Sequence, residues 1–319
     1  MVAPFQRVNR SRRRSKPMEI GSWIGNGSPA TWTPTINPAM VQDPGFPELL
    51  ASAQGGVSFA DACVLVTGAS AADSIGYAVA RNFLRGGAKV VITGSRNLEA
   101  ISATAEQIMA ECQSGSVLPA QVNQGDLADI DAFLAGCKEQ GIAFSHLYPF
   151  AAINHPALFV GIKPEDYARV FAVNTFGVYH LAVRHARAIP RGAAYYVCIP
   201  LSPNDGRLQG SGLYPASKQA LRPLVVQGQH EYGDRRNGTY TGIDIAWTRS
   251  ALMSGLDGGV AAAREAGLIV YETSDTADCC TLLGTPAAAA YKGRSLDASG
   301  GFGSVEPQVM AEVLKAMGH

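Results

Sequence analysis

The sequence predicts an α/β fold: a single doubly wound parallel sheet of about seven strands, preceded by an extended amino-terminal segment. Short Val- and Ile-rich runs alternate with helical patterns from residue 61 to about residue 303, with no linker-like composition between them. A glycine turn also lies between the first run and the first helix, where such folds place a ligand. A chain of 319 residues is long enough to bury one large core.

The predicted strands and helices alternate along the chain. Runs rich in β-branched residues predict strands at 64–66, 89–93, 117–122, 146–150, 194–199, 243–247 and 294–298. Apolar residues at helical spacing predict helices at 75–84, 98–110, 129–138, 164–188, 213–231 and 277–290. Strands separated by helices in this way are typical of a parallel sheet.

The first 60 residues differ in composition from the rest. The basic residues that precede the first acidic one are Arg7, Arg10, Arg12, Arg13, Arg14 and Lys16. A stretch rich in Pro, Gly, Ser and Thr follows, with no helical or strand period. We interpret this region as a solvated tail plus an extended segment draped on the domain. The alternatives are an organelle presequence and a docking arm for a partner.

Charge and composition exclude several classes of protein. The 26 basic residues match 26 acidic ones, which argues against a surface that binds nucleic acid throughout. No run of about 18 uninterrupted apolar residues predicts a membrane span. The six cysteines lack paired CxxC spacing, and the histidines show no metal-like pair. Without a secretory apolar region, we expect reduced thiols, no metal and a cytoplasmic location.

The turn after the first strand is the first candidate site. A helix N-terminus there presents free N–H groups and a partial positive charge to a dinucleotide pyrophosphate, as in Rossmann-type folds. Gly68 can take the tight turn, and Gly76 lets the helix pack closely on the strand. The middle glycine of the common fingerprint is absent. The cofactor-binding candidates in this turn are Gly68, Ser70, Ser74, Ile75 and Gly76.

The ends of the second and third strands add further candidates. An acidic residue about 20 positions past the glycines would hold a ribose 2′-hydroxyl and favour NAD, whereas a basic residue can pair with a 2′-phosphate. Ser95 and Arg96 stand at this place and favour NADP, the alternative being an ordinary exposed Arg at a strand end. After the third strand, Asp126, beside Leu127, could supply a carboxylate to the adenine amine or be a solvated Asp.

Ser202, Tyr214 and Lys218 form the pattern with the clearest chemistry. Tyr214 and Lys218 lie four residues apart on a predicted helix, so both side chains share one face. A nearby ammonium lowers the pKa of a phenol and lets the phenol exchange a proton with a substrate oxygen. Ser202 follows the preceding strand, twelve residues before the tyrosine. Together the three residues predict a proton-transfer site.

With these residues in place, the sequence resembles the short-chain dehydrogenase/reductase family over residues 61 to about 303. The glycine turn, Asn174, Ser202 and the Tyr-x-x-x-Lys pair occur in the family's order and approximate spacing. Several short sequence segments are similar to the ketoreductase domain of fungal and mycobacterial type I fatty acid synthases. They are Ser-Ile-Gly at 74–76, Leu-Tyr-Pro-Phe-Ala-Ala-Ile-Asn at 147–154, Leu-Ser-Pro-Asn at 201–204, and Trp-Thr-Arg at 247–249 with Leu-Met-Ser at 252–254.

The resemblance implies a role for each catalytic candidate. Tyr214 would be the general acid, and Lys218 would lower the pKa of the phenol while bonding the nicotinamide ribose. Ser202 would hold the substrate carbonyl. Asn174 would anchor a water that feeds the proton relay.

The resemblance also implies cofactor contacts. Ala151 and Ala152 occupy the place of the usual Asn-Ala-Gly strand end near the adenosine ribose. Thr248 follows the sixth strand, where family members contact the nicotinamide carboxamide. The sequence departs from the family in a turn one residue longer than in the synthase domains, a missing Asn-Asn-Ala-Gly motif, and Ala246-Trp247 in place of the common Pro-Gly.

We therefore expect one reductase domain over residues 61–319 that transfers hydride from NADPH to a 3-oxoacyl thioester on a carrier protein or coenzyme A. As a free-standing chain it would act in trans in fatty acid or polyketide biosynthesis, with an acyl carrier protein or polyketide synthase as partner. Gly255, Gly258 and Gly259 predict a mobile substrate lid near 250–272. We also expect a homo-oligomer, a dimer or tetramer, that binds neither nucleic acid nor membrane.

Other functions stay open at this point. One alternative is a reductase of a free small ketone or alcohol. Another is a catalytically silent NADP-binding regulatory protein, against which the intact Ser202, Tyr214 and Lys218 argue. Enoyl reductases share the Ser-Ile of the turn but space Tyr and Lys more widely. Trp247 is better explained as a core residue than as a substrate platform.

Overall fold

A computed structural model describes residues 19–245, 247–250, 252, 257–302 and 315, of which 257–259 are described by backbone alone. The strands of the main sheet are β1 (Ile24–Ser28), β2 (Cys63–Thr67), β3 (Lys89–Gly94), β4 (Gly115–Gln121), β5 (His146–Pro149), β6 (Tyr195–Leu201), β7 (Gly238–Ile245) and β10 (Ser295–Ala298). Two short strands, β8 (Thr248–Arg249) and β9 (Tyr271–Glu272), pair with each other.

Within the described residues the main sheet has eight strands in the order β1-β4-β3-β2-β5-β6-β7-β10. All neighbours are parallel except β1, which pairs antiparallel with β4 at the edge. The doubly wound α/β fold and its seven predicted parallel strands are confirmed. The strand order reverses between β2 and β5, and a crevice opens at the carboxyl ends of the strands at such a point.

Helices cover both faces of the sheet. They are α1 (Phe46–Ala51), α2 (Ile75–Arg85), α3 (Leu98–Cys112), α4 (Leu127–Glu139), α5 (Pro164–Phe171), α6 (Gly177–Ala188), α7 (Tyr214–Gln219), α8 (Arg222–Gly228), α9 (Asp234–Arg236), α10 (Asp257–Glu265) and α11 (Thr273–Leu282). Val64 and Val66 of β2 pack with α2, α3 and α11, whereas Leu65 packs with α4, α6 and α8. This alternation places one core on each face. Among the residues that the structure describes, no helix is both long and apolar enough to cross a bilayer.

Several predicted elements differ in extent from those observed. The helix predicted at 164–188 is divided into α5, a π-helical turn and α6. The helix predicted at 213–231 is divided into α7, α8 and a π-helical turn, and Pro223 at the start of α8 lacks an N–H for a continuous helix. The helix predicted at 277–290 ends with α11, and Pro286 begins a separate 3₁₀ turn. The strand predicted at 243–247 begins earlier, at Gly238, and ends at Ile245.

Residues 19–60 pack onto the domain and contain more regular structure than the sequence predicts. They contribute β1 and α1, and bury Trp32 and Phe46 in the core shared with α2 and α11. The buried Asp278 of α11 accepts hydrogen bonds from the backbone N–H groups of Thr35 and Ile36, over 2.6 and 2.9 Å. The segment is thus fixed by apolar burial and by a buried carboxylate.

Two predicted features lie wholly or partly outside the described residues. The basic residues between Arg7 and Lys16 are among residues 1–18, which are not described. Residues 251 and 253–256 of the predicted lid are also not described. The part of the lid region that is described forms α10 and β9.

Candidate active site

A cleft of about 510 Å³ opens at the carboxyl ends of the parallel strands. Its lining includes most of the predicted site residues: Gly68, Ser70, Ser74, Ile75, Gly76, Ser95, Arg96, Ala151, Ala152, Ser202, Tyr214, Lys218 and Thr248. The predicted residues outside this lining are Asp126, Leu127 and Asn174. One cleft therefore brings together the glycine turn and the Ser-Tyr-Lys residues, which are far apart in the sequence.

Backbone atoms approach the glycine turn so closely that side chains do not fit at two positions. Gly68 has φ +70°, and a Cβ there would lie 2.6 Å from the backbone N and Cα of Ala151. A Cβ on Gly76 would lie 2.9 Å from the carbonyl oxygen of Gly68. Ser74 caps α2, because its Oγ accepts the N–H of Tyr77 over 3.1 Å. The first turn of α2 thus begins at the cleft.

Ser95 and Arg96 follow β3 and lie beside the glycine turn. An Nη1 hydrogen of Arg96 is donated to the carbonyl oxygen of Ser70 over 3.4 Å. A Cβ on Gly94 would lie 2.5 Å from Ser70 Oγ, so the strand end and the turn are in close contact. The Arg96 side chain is exposed at this edge of the cleft. A guanidinium in this place can pair with a phosphate group of a bound ligand.

The segment after β4 contributes different residues from those predicted. Asp126 accepts the N–H of Ala128 over 3.0 Å and caps α4, and Leu127 is an exposed residue of that helix. Asn123 and Gln124 line the cleft instead. They are the first polar residues past the strand end, and ligands of open α/β sheets bind beyond the carboxyl ends of the strands. That position is the sequence signal which could have identified them.

Gln124 connects three walls of the cleft. Its Oε1 accepts the hydroxyl of Thr67 over 2.5 Å, and its Nε2 donates to the carbonyl oxygens of Ala151 and Val173 over 2.8 and 2.9 Å. The side chain is buried, so each of these polar groups needs its partner. This network joins the ends of β2 and β5 to the helix that carries Asn174.

Asn174 lies in a π-helical turn, Ala172–Phe176, between α5 and α6. Its side chain is fully buried, accepts the N–H of Ile153 over 2.9 Å, and donates to the Ile153 carbonyl and to Ser217 Oγ, each over 3.0 Å. It therefore ties the loop after β5 to α7. Its implied role in anchoring a water stays a prediction.

Ser202 follows β6, whereas Tyr214 and Lys218 lie on α7. Lys218 is buried, and its Nζ donates to the carbonyl oxygen of Pro200 over 3.1 Å. The Oγ of Ser202 accepts the N–H of Asn204 over 3.2 Å. This bond uses the oxygen as an acceptor and leaves the hydroxyl hydrogen available to a ligand.

Burial sets the protonation of the Tyr-Lys pair. It raises the pKa of the Tyr214 phenol to about 12 and lowers the pKa of the Lys218 ammonium to about 8. The phenol therefore keeps its proton at neutral pH, as a proton donor must. The Nζ of Lys218 lies 5.9 Å from the Tyr214 ring centroid, and the lowering of the phenol's pKa by Lys218 that the resemblance implies stays a prediction.

One part of the cleft, called here the apolar end, is lined by large apolar side chains. Trp247, Phe302 and Leu208 line it, and all three belong to a small hydrophobic cluster with residues of α10. Trp247 is buried, as predicted for a core residue, and it also faces the cleft. Thr248 lies beside it with its hydroxyl 2.9 Å from that of Thr276. This end offers mainly apolar contact to a ligand.

A doubly wound sheet with a dinucleotide-type turn and a Tyr-Lys pair defines a nicotinamide-dependent oxidoreductase of the Rossmann class. The chain belongs to the short chain dehydrogenase family, whose model matches residues 62–246. The family implies a nicotinamide cofactor. The residues present fit one, because the glycine positions leave a backbone-lined cradle at the start of α2. β3 and β6 are three strand spacings apart, about 14 Å, which suits an elongated ligand.

The relatives of the chain include large fungal proteins. "Fatty acid synthase alpha subunit stcJ" of Emericella nidulans is 31% identical over 249 residues, which are 75% of this chain and 16% of that protein. "Fatty acid synthase subunit alpha" of Saccharomyces cerevisiae is 32% identical over 217 residues, 64% of this chain and 11% of that one. The predicted resemblance is thus confirmed, although the chain spans less than a fifth of these relatives.

Solved structures show the same fold at lower identity. A short-chain dehydrogenase/reductase described as a glucose/ribitol dehydrogenase, from Brucella melitensis, has a TM-score of 0.65 and 20% sequence identity. The match covers 77% of this chain and 98% of that chain. This likeness confirms the architecture of the sheet and helices.

Proposed function

We propose that the protein is an NADPH-dependent ketoreductase that reduces a 3-oxoacyl thioester to the 3-hydroxyacyl product. The observation that supports this proposal best is the grouping of Ser202, Tyr214 and Lys218 in a cleft that also contains the glycine turn and Arg96. A proton donor and a cofactor cradle in one cleft are what carbonyl reduction needs.

The bound cofactor would supply the hydride, and the chain's own residues would position the ketone and supply the proton. The Ser202 hydroxyl, whose hydrogen is available, would donate to the substrate carbonyl oxygen. Tyr214 would transfer its phenolic proton to the same oxygen, which becomes the alcohol. Lys218, predominantly charged at neutral pH because its pKa is about 8, would hold the nicotinamide ribose and stabilise the tyrosinate that remains.

Arg96 and Ser95 support NADPH over NADH. The exposed guanidinium lies against the Ser70 carbonyl at the edge of the glycine turn, where the adenosine ribose of a dinucleotide would lie. A 2′-phosphate there could form charge-assisted hydrogen bonds with Arg96, which a 2′-hydroxyl would not form. No carboxylate follows β3 at this position to hold a 2′-hydroxyl instead.

The thioester substrate is supported by the apolar end of the cleft and by the relatives. Trp247, Phe302 and Leu208 can contact an acyl chain next to the catalytic residues. The relatives whose names are given above are fatty acid synthase subunits. We further propose that the chain acts in trans on a carrier-bound substrate of fatty acid or polyketide biosynthesis and forms a homo-oligomer. A cytoplasmic location is the setting that the sequence predicts.

The test is NADPH oxidation by the purified chain with a short series of 3-oxoacyl thioesters of increasing length. Each thioester is compared with a free ketone of the same carbon chain, and selected acyl groups are also presented on a carrier protein. We expect kcat/KM to be higher for the thioesters. Higher values for the free ketones would instead identify a small-ketone reductase. Cofactor binding without turnover on any ketone would contradict the enzymatic proposal and favour a regulatory protein.

A further inference from the structure

Tyr214 is the first residue of α7, and this helix has no side-chain cap at its start. Pro215, the second helical residue, has no N–H that a cap could accept. A helix start without a local cap needs partners from elsewhere in the fold. The N–H of Tyr214 bonds the nearby Ser211 carbonyl over 3.2 Å, whereas the N–H of Leu213, just before α7, finds its partner in residues 154–157, the loop that follows β5.

His155 lies in this loop and is bonded through both ring nitrogens. Its Nδ1 lies 3.4 Å from the backbone N of Leu213, and its Nε2 lies 3.1 Å from Asp166 Oδ2. A backbone N–H can only donate, so Nδ1 accepts and Nε2 carries the hydrogen that is donated to Asp166. The two contacts therefore assign the acceptor to Nδ1 and the donor to Nε2 in this buried ring.

Asp166 is itself held in place at the start of α5. Its Oδ2 accepts the backbone N–H of Lys163 over 3.2 Å, and its Oδ1 accepts from Arg169 Nη2 over 3.1 Å. These bonds leave the carboxylate little freedom to turn. Asp166 is therefore a fixed acceptor that orients the imidazole of His155.

The backbone near His155 is also paired with the segment that leads into Tyr214. The N–H of Ala157 donates to the Gly210 carbonyl over 2.8 Å, and the N–H of Gly212 donates to the Ala157 carbonyl over 3.1 Å. Gly212 has φ +54°, and a Cβ there would collide with the carbonyl oxygen and Nδ1 of His155. Only glycine permits this close approach.

We propose that His155, oriented by Asp166, positions Tyr214 for proton transfer by accepting the N–H of Leu213. The inference rests on the proposed role of Tyr214 as the proton donor. His155 is not part of the cleft lining, so it acts through α7 and not on the ligand. A displaced donor lowers kcat more than it weakens binding, because alignment is used in the transition state.

Two substitutions of similar size separate the two contacts of the ring. In His155→Asn the amide oxygen can take the place of Nδ1, whereas in His155→Gln the amide reaches the position of Nε2. We expect His155→Gln to lower kcat about 10- to 100-fold and His155→Asn to stay within about threefold of wild type. The dissociation constant of NADPH and the KM of the ketone should change little in either variant.

A buried histidine remote from the cleft gives the control. His185 lies on α6, and its Nε2 donates a hydrogen bond to the Phe144 carbonyl oxygen over 2.8 Å. His185→Gln should lower the melting temperature and leave kcat unchanged. Equal losses of kcat in His155→Asn and His155→Gln, or a loss confined to KM, would overturn the positioning role.

Hydrogen exchange of the Leu213 amide tests the contact without any substrate. We expect faster exchange in His155→Gln than in wild type, and wild-type protection in His155→Asn. If the wild-type chain reduces no ketone, the proposed function is wrong, and the exchange rates still decide whether His155 holds Leu213. Unchanged protection in His155→Gln would show that it does not.

Discussion

At the glycine turn the wall of the cleft is main chain, whereas at Tyr214 the wall is held by side chains from distant segments. A Cβ on Gly68 or Gly76 would meet backbone atoms at under 3 Å, so close contact of the main chain itself shapes that end. At the other end, Lys218 bonds the Pro200 carbonyl and the start of α7 lacks a cap of its own. The first end is shaped by close backbone contacts and the second by side-chain contacts from distant segments.

This difference predicts how the two ends respond to substitution. Changes near the glycine turn should alter the binding of the cofactor, since that end offers shape, N–H groups and a guanidinium. Changes at the Ser-Tyr-Lys end should alter the rate, since those groups act on the reacting oxygen. Three experiments test whether the two ends of the cleft respond in these different ways.

The largest effect is expected for Tyr214→Phe. The variant lacks the phenolic proton, which is used only in the transition state, so we expect the rate of reduction to fall by about two to four orders of magnitude. NADPH binding should remain nearly intact. Steady-state NADPH oxidation and cofactor fluorescence measure the two quantities.

Tyr179→Phe is a matched control for this experiment. Tyr179 lies on α6 and its hydroxyl donates to the Ala220 carbonyl over 3.2 Å, outside the cleft lining. The Tyr179→Phe variant should keep the wild-type rate of NADPH oxidation. If Tyr214→Phe retains more than a tenth of the wild-type rate, Tyr214 is not the general acid. The proposed difference between a binding end and a rate-determining end of the cleft would then be wrong.

Arg96→Ala should give an intermediate effect that is confined to binding. Loss of a hydrogen bond to a charged group is worth about 1.5 to 3 kcal/mol, so NADPH should bind about ten- to a hundredfold more weakly. NADH binding should hardly change. Arg85→Ala, at the end of α2 away from the cleft, removes the same charge and should affect neither cofactor. Equal losses for NADPH and NADH would mean that Arg96 is structural.

The smallest effect is expected from pH. As the pH rises through about 8, Lys218 loses its proton, because burial lowers its pKa from the ordinary value, while Tyr214 with a pKa of about 12 stays protonated. We expect kcat/KM to fall about tenfold between pH 7 and pH 9. In Lys218→Arg the charge persists, so the alkaline fall should move up by at least about one pH unit. An unmoved alkaline fall would assign it to another group.

The strands and the glycine turn could be predicted because their signals are local. Val64 and Leu65 are buried on opposite faces of β2, and Gly68 and Gly76 have the steric roles inferred from the turn. Helix ends were less predictable where a proline such as Pro223 divides a helix. The apolar residues keep their helical spacing on both sides of the proline, so the spacing does not reveal the division.

The missed contributions to the cleft depend on tertiary contacts. Gln124 matters because it reaches three backbone and side-chain partners on other elements. Asp126 caps α4 and lies outside the cleft lining, and its predicted contact with the adenine amine stays a prediction. His155 has no local pattern at all, and its partners Asp166 and Leu213 lie on either side of it only in the folded chain.

The attachment of residues 19–60 has a consequence for any shortened version of the protein. A chain begun at residue 61 would retain Asn82 as a donor to Asp278 but lose the donors on Thr35 and Ile36. Burial already raises the pKa of Asp278. Without the two donors, the Asp278 carboxyl would favour its neutral form or draw water into the core. The loss of Trp32 and Phe46 would also expose apolar surface on α2 and α11. Truncation would therefore favour aggregation.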